Sequence, residues 1–372
     1  KTLQSAVKTL DTTQKKLQND LKVTETDIGS TELSIKKIGL EINAKEQHIN
    51  TNKEAIAESL RNLQDTDNQS TIETFLQYKN INELWHNIET LRRFQSSVQQ
   101  SIRQLKNLKE ELSEKKSENE EKKVELVEYK EDLSDKKVVV EQNKKAKTTL
   151  LVQTKNKEGE YKKLLAKNIE LGRKFEQELF QYEAQLKIAI DKSKLPTERS
   201  GLLQWPLASV MITQRFGKTV DAKRLYVSGT HNGIDLRATM GTPVKVVLSG
   251  IVEGVGNTDA QAGCYSYGRW ILVKHSNGLS SLYSHLSLSR VAQGQPVAAG
   301  EVIGLSGGQP GTSGAGYSTG PHLHLGLYAS EGVSVGKYSQ SNFCKQVTIP
   351  IAVSYTHLRA HETKANLVCR LL

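Results

Sequence analysis

Five histidines in the C-terminal half of the chain have spacings that could do chemistry: His231, His275, His285, His322 and His324. His231-Asn-Gly-Ile-Asp235 sets a histidine and an aspartate four residues apart. His322-Leu-His324 lies in an apolar run, where strand alternation sends both imidazoles to the same face. His285 follows Leu282-Tyr-Ser, and His275 closes the run before it. Two imidazoles and one carboxylate are the three protein ligands of a catalytic zinc with one open position. Such a ligand set leaves the ion positive, which acidifies a bound water. Spare imidazoles can then move protons near neutral pH. An isolated His-x-His or His-x-x-x-Asp is more often surface or core histidine. Together in one small domain, with a further Tyr-Ser-His-Leu, they point to metal-assisted hydrolysis. His275 belongs to no such pattern and reads as structural.

In order and spacing, His231-Asn-Gly-Ile-Asp235-Leu, Leu282-Tyr-Ser-His285-Leu and Ser318-Thr-Gly-Pro-His322-Leu-His324-Leu resemble the three motifs of LytM/lysostaphin-type zinc endopeptidases, the peptidase M23 family. Gly241-Thr-Pro-Val244 and Gly300-Glu-Val-Ile-Gly304 add spacer signals, and the resemblance covers about Trp205 to Ile351. It implies that His231, Asp235 and His324 bind one zinc ion per chain. It implies His322 as the general base that orients and deprotonates the attacking water. His285 would stabilise the oxyanion or shuttle a proton. The implied substrate is the stem peptide or cross-bridge of peptidoglycan. Two departures stand out: Gly326 replaces an acidic residue frequent two positions after the His-x-His, and the Gly-rich loop Gly307 to Gly316 is longer than the commonest family form. Neither removes a ligand, so altered support of the site or altered cleft shape is expected.

Long helices must precede this domain. The first 195 residues hold no proline, and their only glycines are Gly29, Gly39, Gly159 and Gly172. Leu21, Ile28, Ile35, Ile42, Ile49, Ile56 and Leu63 recur every seven positions, and Leu17, Ile38 and Leu60 add to a second seam. A second series runs Leu91, Val98, Leu105, Leu112, Asn119, Leu126, Leu133 and Val140, and a looser helical stretch covers Leu150 to Leu186. Sustained heptads predict a coiled coil, in which a core Asn such as Asn119 can fix register. Whether the helices pair within one chain or between chains stays open. Between the two series, Asp65 to Ser70 is a polar break, and Thr71 to Trp85 reads as a small helical lobe at a hairpin tip.

After Pro196 the composition changes: all seven prolines lie from there onward, and short β-rich runs alternate with turns. Candidate strands are Val210 to Thr213, Pro243 to Leu248, Gly250 to Val255, Trp270 to His275, Ser280 to His285 and His322 to Tyr328. The expected fold is multidomain α + β: a coiled-coil helical arm over 1–195, a linker over 196–204, and an all-β antiparallel peptidase domain over 205–352. Residues 353–372 resemble the translation of a sequencing-library adapter, so His357, His361 and Cys369 carry no functional argument. Cys264 and Cys344 remain, and their spacing fits no zinc ribbon; a bridge between them suits an exported protein.

The formal net charge is +10, yet the helical region is nearly balanced, as solvated helix faces are. No basic patch with interleaved aromatics indicates nucleic-acid binding. No run approaches the length of a membrane-spanning helix. A helical arm ahead of such a domain resembles the EnvC/PcsB-like cell-division hydrolases. That resemblance implies an extracytoplasmic protein whose arm engages a membrane ABC-transporter-like complex, with self-association through the coil left open. The chain begins at Lys1, and a signal sequence is expected upstream of it. The alternative is a non-catalytic activator or adaptor of other cell-wall hydrolases, which the full set of motif residues argues against.

Overall fold

The computed structural model describes residues 2–67, 81–185, 202–219, 222–223, 226, 229–339 and 341–352. The proposed tip lobe up to residue 80, most of the linker and the adapter-like tail lie outside the described residues. Among the described residues, three helices come first: α1 (Leu3–Asp67), α2 (Ile81–Thr154) and α3 (Glu158–Gln185). None of the described helices is long and apolar enough to cross a membrane. Twelve strands follow, and they are antiparallel wherever they pair. The fold class is thus long N-terminal helices followed by antiparallel β-sheet.

The chain groups into two compact units, one of residues 22–133 and one of residues 1–21 with 134–372. In the first, α1 and α2 run antiparallel within one chain. Ion pairs Glu32–Lys130 (2.9 Å), Glu41–Lys115 (3.3 Å) and Glu46–Lys116 (2.8 Å) mark the register, and Lys45 also reaches Glu111. Ile38, Ile49, Ile56 and Val98 are buried in the seam, together with Thr24 and Thr31. Leu60 is a correction to the expected second seam: it is 47% exposed. The oxygen of Asn119 is buried without a hydrogen-bond partner among the described residues.

In the second unit the head is built on a seven-stranded sheet of order β1-β2-β10-β6-β5-β4-β8. Its strands are β1 (Ile212–Gln214), β2 (Ile234–Arg237), β4 (Gly250–Asn257), β5 (Arg269–His275), β6 (Leu279–Ser284), β8 (Pro296–Val297) and β10 (His322–Ala329). A three-stranded sheet joins β3 (Pro243–Lys245), β9 (Val302–Ser306) and β7 (Leu286–Ser289), and β11 (Val333–Lys337) pairs with β12 (Thr348–Ala352). Ile234, Leu236, Val244, Ile271, Val273, Tyr283, Leu286, Ile303 and Leu323 pack in one core that these strands share. Each such side chain, removed from water, contributes about 1.5–3 kcal/mol to folding. The central strands β6 and β10 are buried almost throughout, and they carry the buried polar residues Ser280, Ser281, Ser284 and His324 among apolar ones.

The helical segments of this unit pack on the head. Leu17 and Val139 share an apolar cluster with Met240 and Leu305, and Arg290 pairs with Asp135 at 2.5 Å. Phe175 and Leu179 of α3 pack with Cys264, Cys344, Tyr338, Ile349 and Ile351. Cys264 and Cys344 form a disulfide.

Candidate metal centre

Register places the site. On β10, His324 lies opposite Asp235 of β2 on one side and opposite Ser284 of β6 on the other. His285 follows Ser284 directly, and His231 precedes β2 through an isolated bridge to Gly217. Three neighbouring strands of one sheet therefore carry four histidines and one aspartate to one place.

His231 Nε2, His324 Nδ1 and Asp235 Oδ1 converge. The two ring nitrogens are 3.1 Å apart, and they stand 3.2 Å and 3.0 Å from the carboxylate oxygen. Donors about 2.0–2.2 Å from a tetrahedral zinc lie roughly 3.3–3.5 Å from one another. The three atoms therefore fit one small cation with little adjustment, and all three residues are buried. His324 Nε2 has no hydrogen-bond partner among the described residues, so Nδ1 is the nitrogen this ring commits to the cluster.

The other rings are fixed by main-chain carbonyls. His231 Nδ1 donates to Arg215 O at 3.1 Å, which leaves Nε2 with its lone pair on the cluster. His322 Nδ1 donates to Gly320 O at 2.7 Å, and its Nε2 stands 3.6 Å from Asp235 Oδ1. His285 Nδ1 donates to Ala315 O at 2.8 Å. The His285 and His322 rings lie 4.7 Å apart between centroids. A carbonyl can only accept, so each of these bonds settles the tautomer and leaves Nε2 able to take a proton. His285 also has a left-handed backbone, φ 60°, which is uncommon outside glycine and clusters at functional positions.

Burial would raise the Asp235 carboxyl, but hydrogen bonding to His231 and His324 when those rings carry a proton toward it, with nearby positive charge, outweighs it and holds it well below the usual carboxylate range. Burial drives His285 well below the ordinary histidine value, with the neighbouring His322 and His324 adding to the effect. His324 is lowered too, again chiefly by burial. His275 stands apart, bonded to Ser249 O (3.1 Å) and Ser281 Oγ (2.8 Å) inside the head.

Several residues of this region carried no signal in the sequence. Tyr226 stacks flat on His231, with centroids 5.6 Å apart and planes at 4°. Tyr226, Tyr267, Tyr317 and Asn232 line a cleft of about 80 Å³ beside His285 and His324, and α3 closes it with Gly172, Phe175, Glu176 and Leu179. Gly172 permits the approach: a Cβ there would stand 2.5 Å from the Tyr317 ring. Glu178 anchors the same helix by accepting from Ser341 Oγ (2.8 Å) and Asn342 Nδ2 (2.7 Å). At Gly326, a Cβ would meet Tyr328 Cε2 at 2.9 Å, so a tyrosine ring fills the space that a side chain at this position would need.

Residues 229–336 match peptidase family M23. The chain carries an M23 peptidase domain. The DD-carboxypeptidase/endopeptidase Mpg of Neisseria meningitidis is 37% identical over 127 residues, covering 34% of this chain and 26% of the relative. The peptidoglycan DD-endopeptidase ShyA of Vibrio cholerae is 35% identical over 118 residues, 30% of this chain and 24% of the relative. Lysostaphin of Staphylococcus simulans is 38% identical over 98 residues, 26% and 18% respectively. The chain thus spans about a quarter or less of these relatives' length. Among solved structures, the catalytic domain of the prophage-encoded M23 protein EnpA from Enterococcus faecalis is 30% identical, with 33% of this chain and 82% of that one covered and a TM-score of 0.27.

Proposed function

We propose that the chain is a secreted zinc endopeptidase that hydrolyses peptide bonds in peptidoglycan stem peptides or cross-bridges, in cell-wall remodelling or division. The reading divides it into an arm over 1–195, a linker over 196–204 and the peptidase domain over 205–352. Its main support is the convergence of His231 Nε2, Asp235 Oδ1 and His324 Nδ1 beside two imidazoles whose Nδ1–H groups are already committed. Zinc held by those three atoms would supply a Lewis acid that acidifies water and polarises a carbonyl. His322 Nε2 takes the proton of the attacking water. His285 Nε2, on a ring kept neutral by burial, passes a proton to or from the tetrahedral oxygen. Tyr226 and Tyr317 line the approach and exclude water.

The arm regulates this site in our reading. Gly172, Phe175, Glu176 and Leu179 of α3 line the cleft beside His285 and His324, where substrate would approach, so movement of α3 would widen that approach. Docking of the arm to a membrane ABC-transporter-like complex, or to a second copy, belongs to the same proposal. The covered cleft also favours a second reading, a non-catalytic activator of other hydrolases.

The deciding experiment measures zinc content and release of soluble fragments from purified peptidoglycan. Full-length chain would be compared with His322→Ala, His324→Ala and a form whose α3 contact is broken. Turnover that requires both histidines supports the enzyme. Zinc at one per chain with no cleavage, even after α3 is loosened, sinks it in favour of the activator.

A further inference from the structure

The Gly-rich loop is held by a residue outside every motif. Asp259 lies in the short turn Thr258–Ala260 that follows β4. Its Oδ2 accepts from the backbone N–H of Gly314 (2.8 Å) and of Gly316 (3.1 Å). Between these two lies Ala315, whose carbonyl accepts the Nδ1–H of His285 at 2.8 Å. Arg269 braces the same loop. Its N–H donates to Gly314 O at 2.9 Å, its guanidinium reaches Ser287 O, and its charge acts on Asp259.

Gln309, Thr312 and Ala315 are buried where the loop borders a cavity of about 700 Å³. Within that packing, the hydrogen bonds to Asp259 and Arg269 are what orient the peptide units on either side of Ala315. Gly316 lets the chain pass close by, because it takes φ 57° and a Cβ there would collide with Ser266 O.

We propose that Asp259 is a positioning residue for His285: by clamping the loop on both sides of Ala315, its carboxylate fixes the carbonyl that holds the His285 proton on Nδ1. Among the described residues it makes no hydrogen bond to His231, Asp235 or His324. The inference rests on the endopeptidase reading for its consequence in turnover, but not for its consequence in tautomer.

The test is nitrogen NMR on the full chain with labelled histidines, zinc-loaded and at mildly alkaline pH. Wild type should show His285 as a single Nδ1–H tautomer with a slowly exchanging proton. Asp259→Ala, which removes the one oxygen that accepts both N–H groups, should show mixed tautomers and a rapidly exchanging proton. Zinc content should stay the same, kcat should fall about 10- to 100-fold, and KM should change little. Asp259→Glu should recover part of both signals. An Nε2–H tautomer in wild type overturns the proposal, and that reading needs no variant to fold. So does an Asp259→Ala chain that folds and keeps the Nδ1–H tautomer and its protection, whatever its activity. A chain without cleavage even after its α3 contact is broken would defeat the endopeptidase reading and leave the tautomer measurement to be judged separately.

Discussion

His231 Nε2 and His324 Nδ1 face each other at 3.1 Å, and both reach one oxygen, Asp235 Oδ1. Two bare imidazole nitrogens at that separation repel unless a proton or a cation lies between them. Chelation should therefore lower the melting temperature, and added zinc should restore it. A ligand at a hundred times its dissociation constant stabilises by about 2.7 kcal/mol. Thermal melts with and without chelator check this, and His324→Ala should abolish the difference. An equal response in that variant would place the ion elsewhere.

Gly172 and Tyr317 set the seat of α3. Gly172→Leu cannot keep the present contact, so the helix should lift from the cleft. Peptidoglycan turnover should rise several-fold while zinc content holds. Limited proteolysis of α3 reports the movement independently. A variant whose α3 becomes sensitive without any gain in turnover would argue that the helix does not gate the site.

His275 should shape acid stability. Burial lowers its pKa from the model-peptide value of 6.5, so the folded state keeps it neutral while the unfolded chain takes a proton below that value. Its contribution is complete above about pH 6.5 and is lost as the pH falls further. His275→Gln should cost about 1–3 kcal/mol at alkaline pH, because Ser281 or Ser249 loses its present partner. It should also flatten the decline below about pH 6.5. Urea unfolding across this range, with chelator in every sample, tests both parts.

Gly326 and Tyr328 should be energetically coupled. Gly326→Glu drives a side chain into the Tyr328 ring and should destabilise the head. Adding Tyr328→Ala should make the pair less unstable than the two single costs summed, by about 0.5–3 kcal/mol. Strict additivity in a double-mutant cycle would mean that the ring does not occupy that space.

Much of this was legible in the sequence because the residue types themselves carry the chemistry. His231, Asp235, His322 and His324 could be grouped from spacing, and the heptads announced the helices. What escaped was of three kinds. Strand β2 is only four residues long and coincides with His231-Asn-Gly-Ile-Asp235, so its strand character was hidden behind its ligand pattern. The groups that settle the imidazole tautomers are carbonyls of Arg215, Ala315 and Gly320, which any residue could provide. The apposition of α3 to Tyr317 joins positions far apart in the chain, and no local pattern encodes it. Leu60 is exposed because it stands one residue out of phase with Leu17 and Ile38, whereas Thr24 and Thr31, which keep that phase, are buried although they are polar.

The opposed run of α1 and α2 bears on how this arm can change in length. Glu32 meets Lys130 and Glu41 meets Lys115, so each step forward along one helix is a step back along the other. Deleting one heptad from α1 alone would slide every remaining pair by two turns. Removing the facing heptad from α2 as well would keep the register of what is left. Natural or engineered variants of different reach should therefore differ by matched excisions on both limbs, and their lengths should come in even multiples of seven residues.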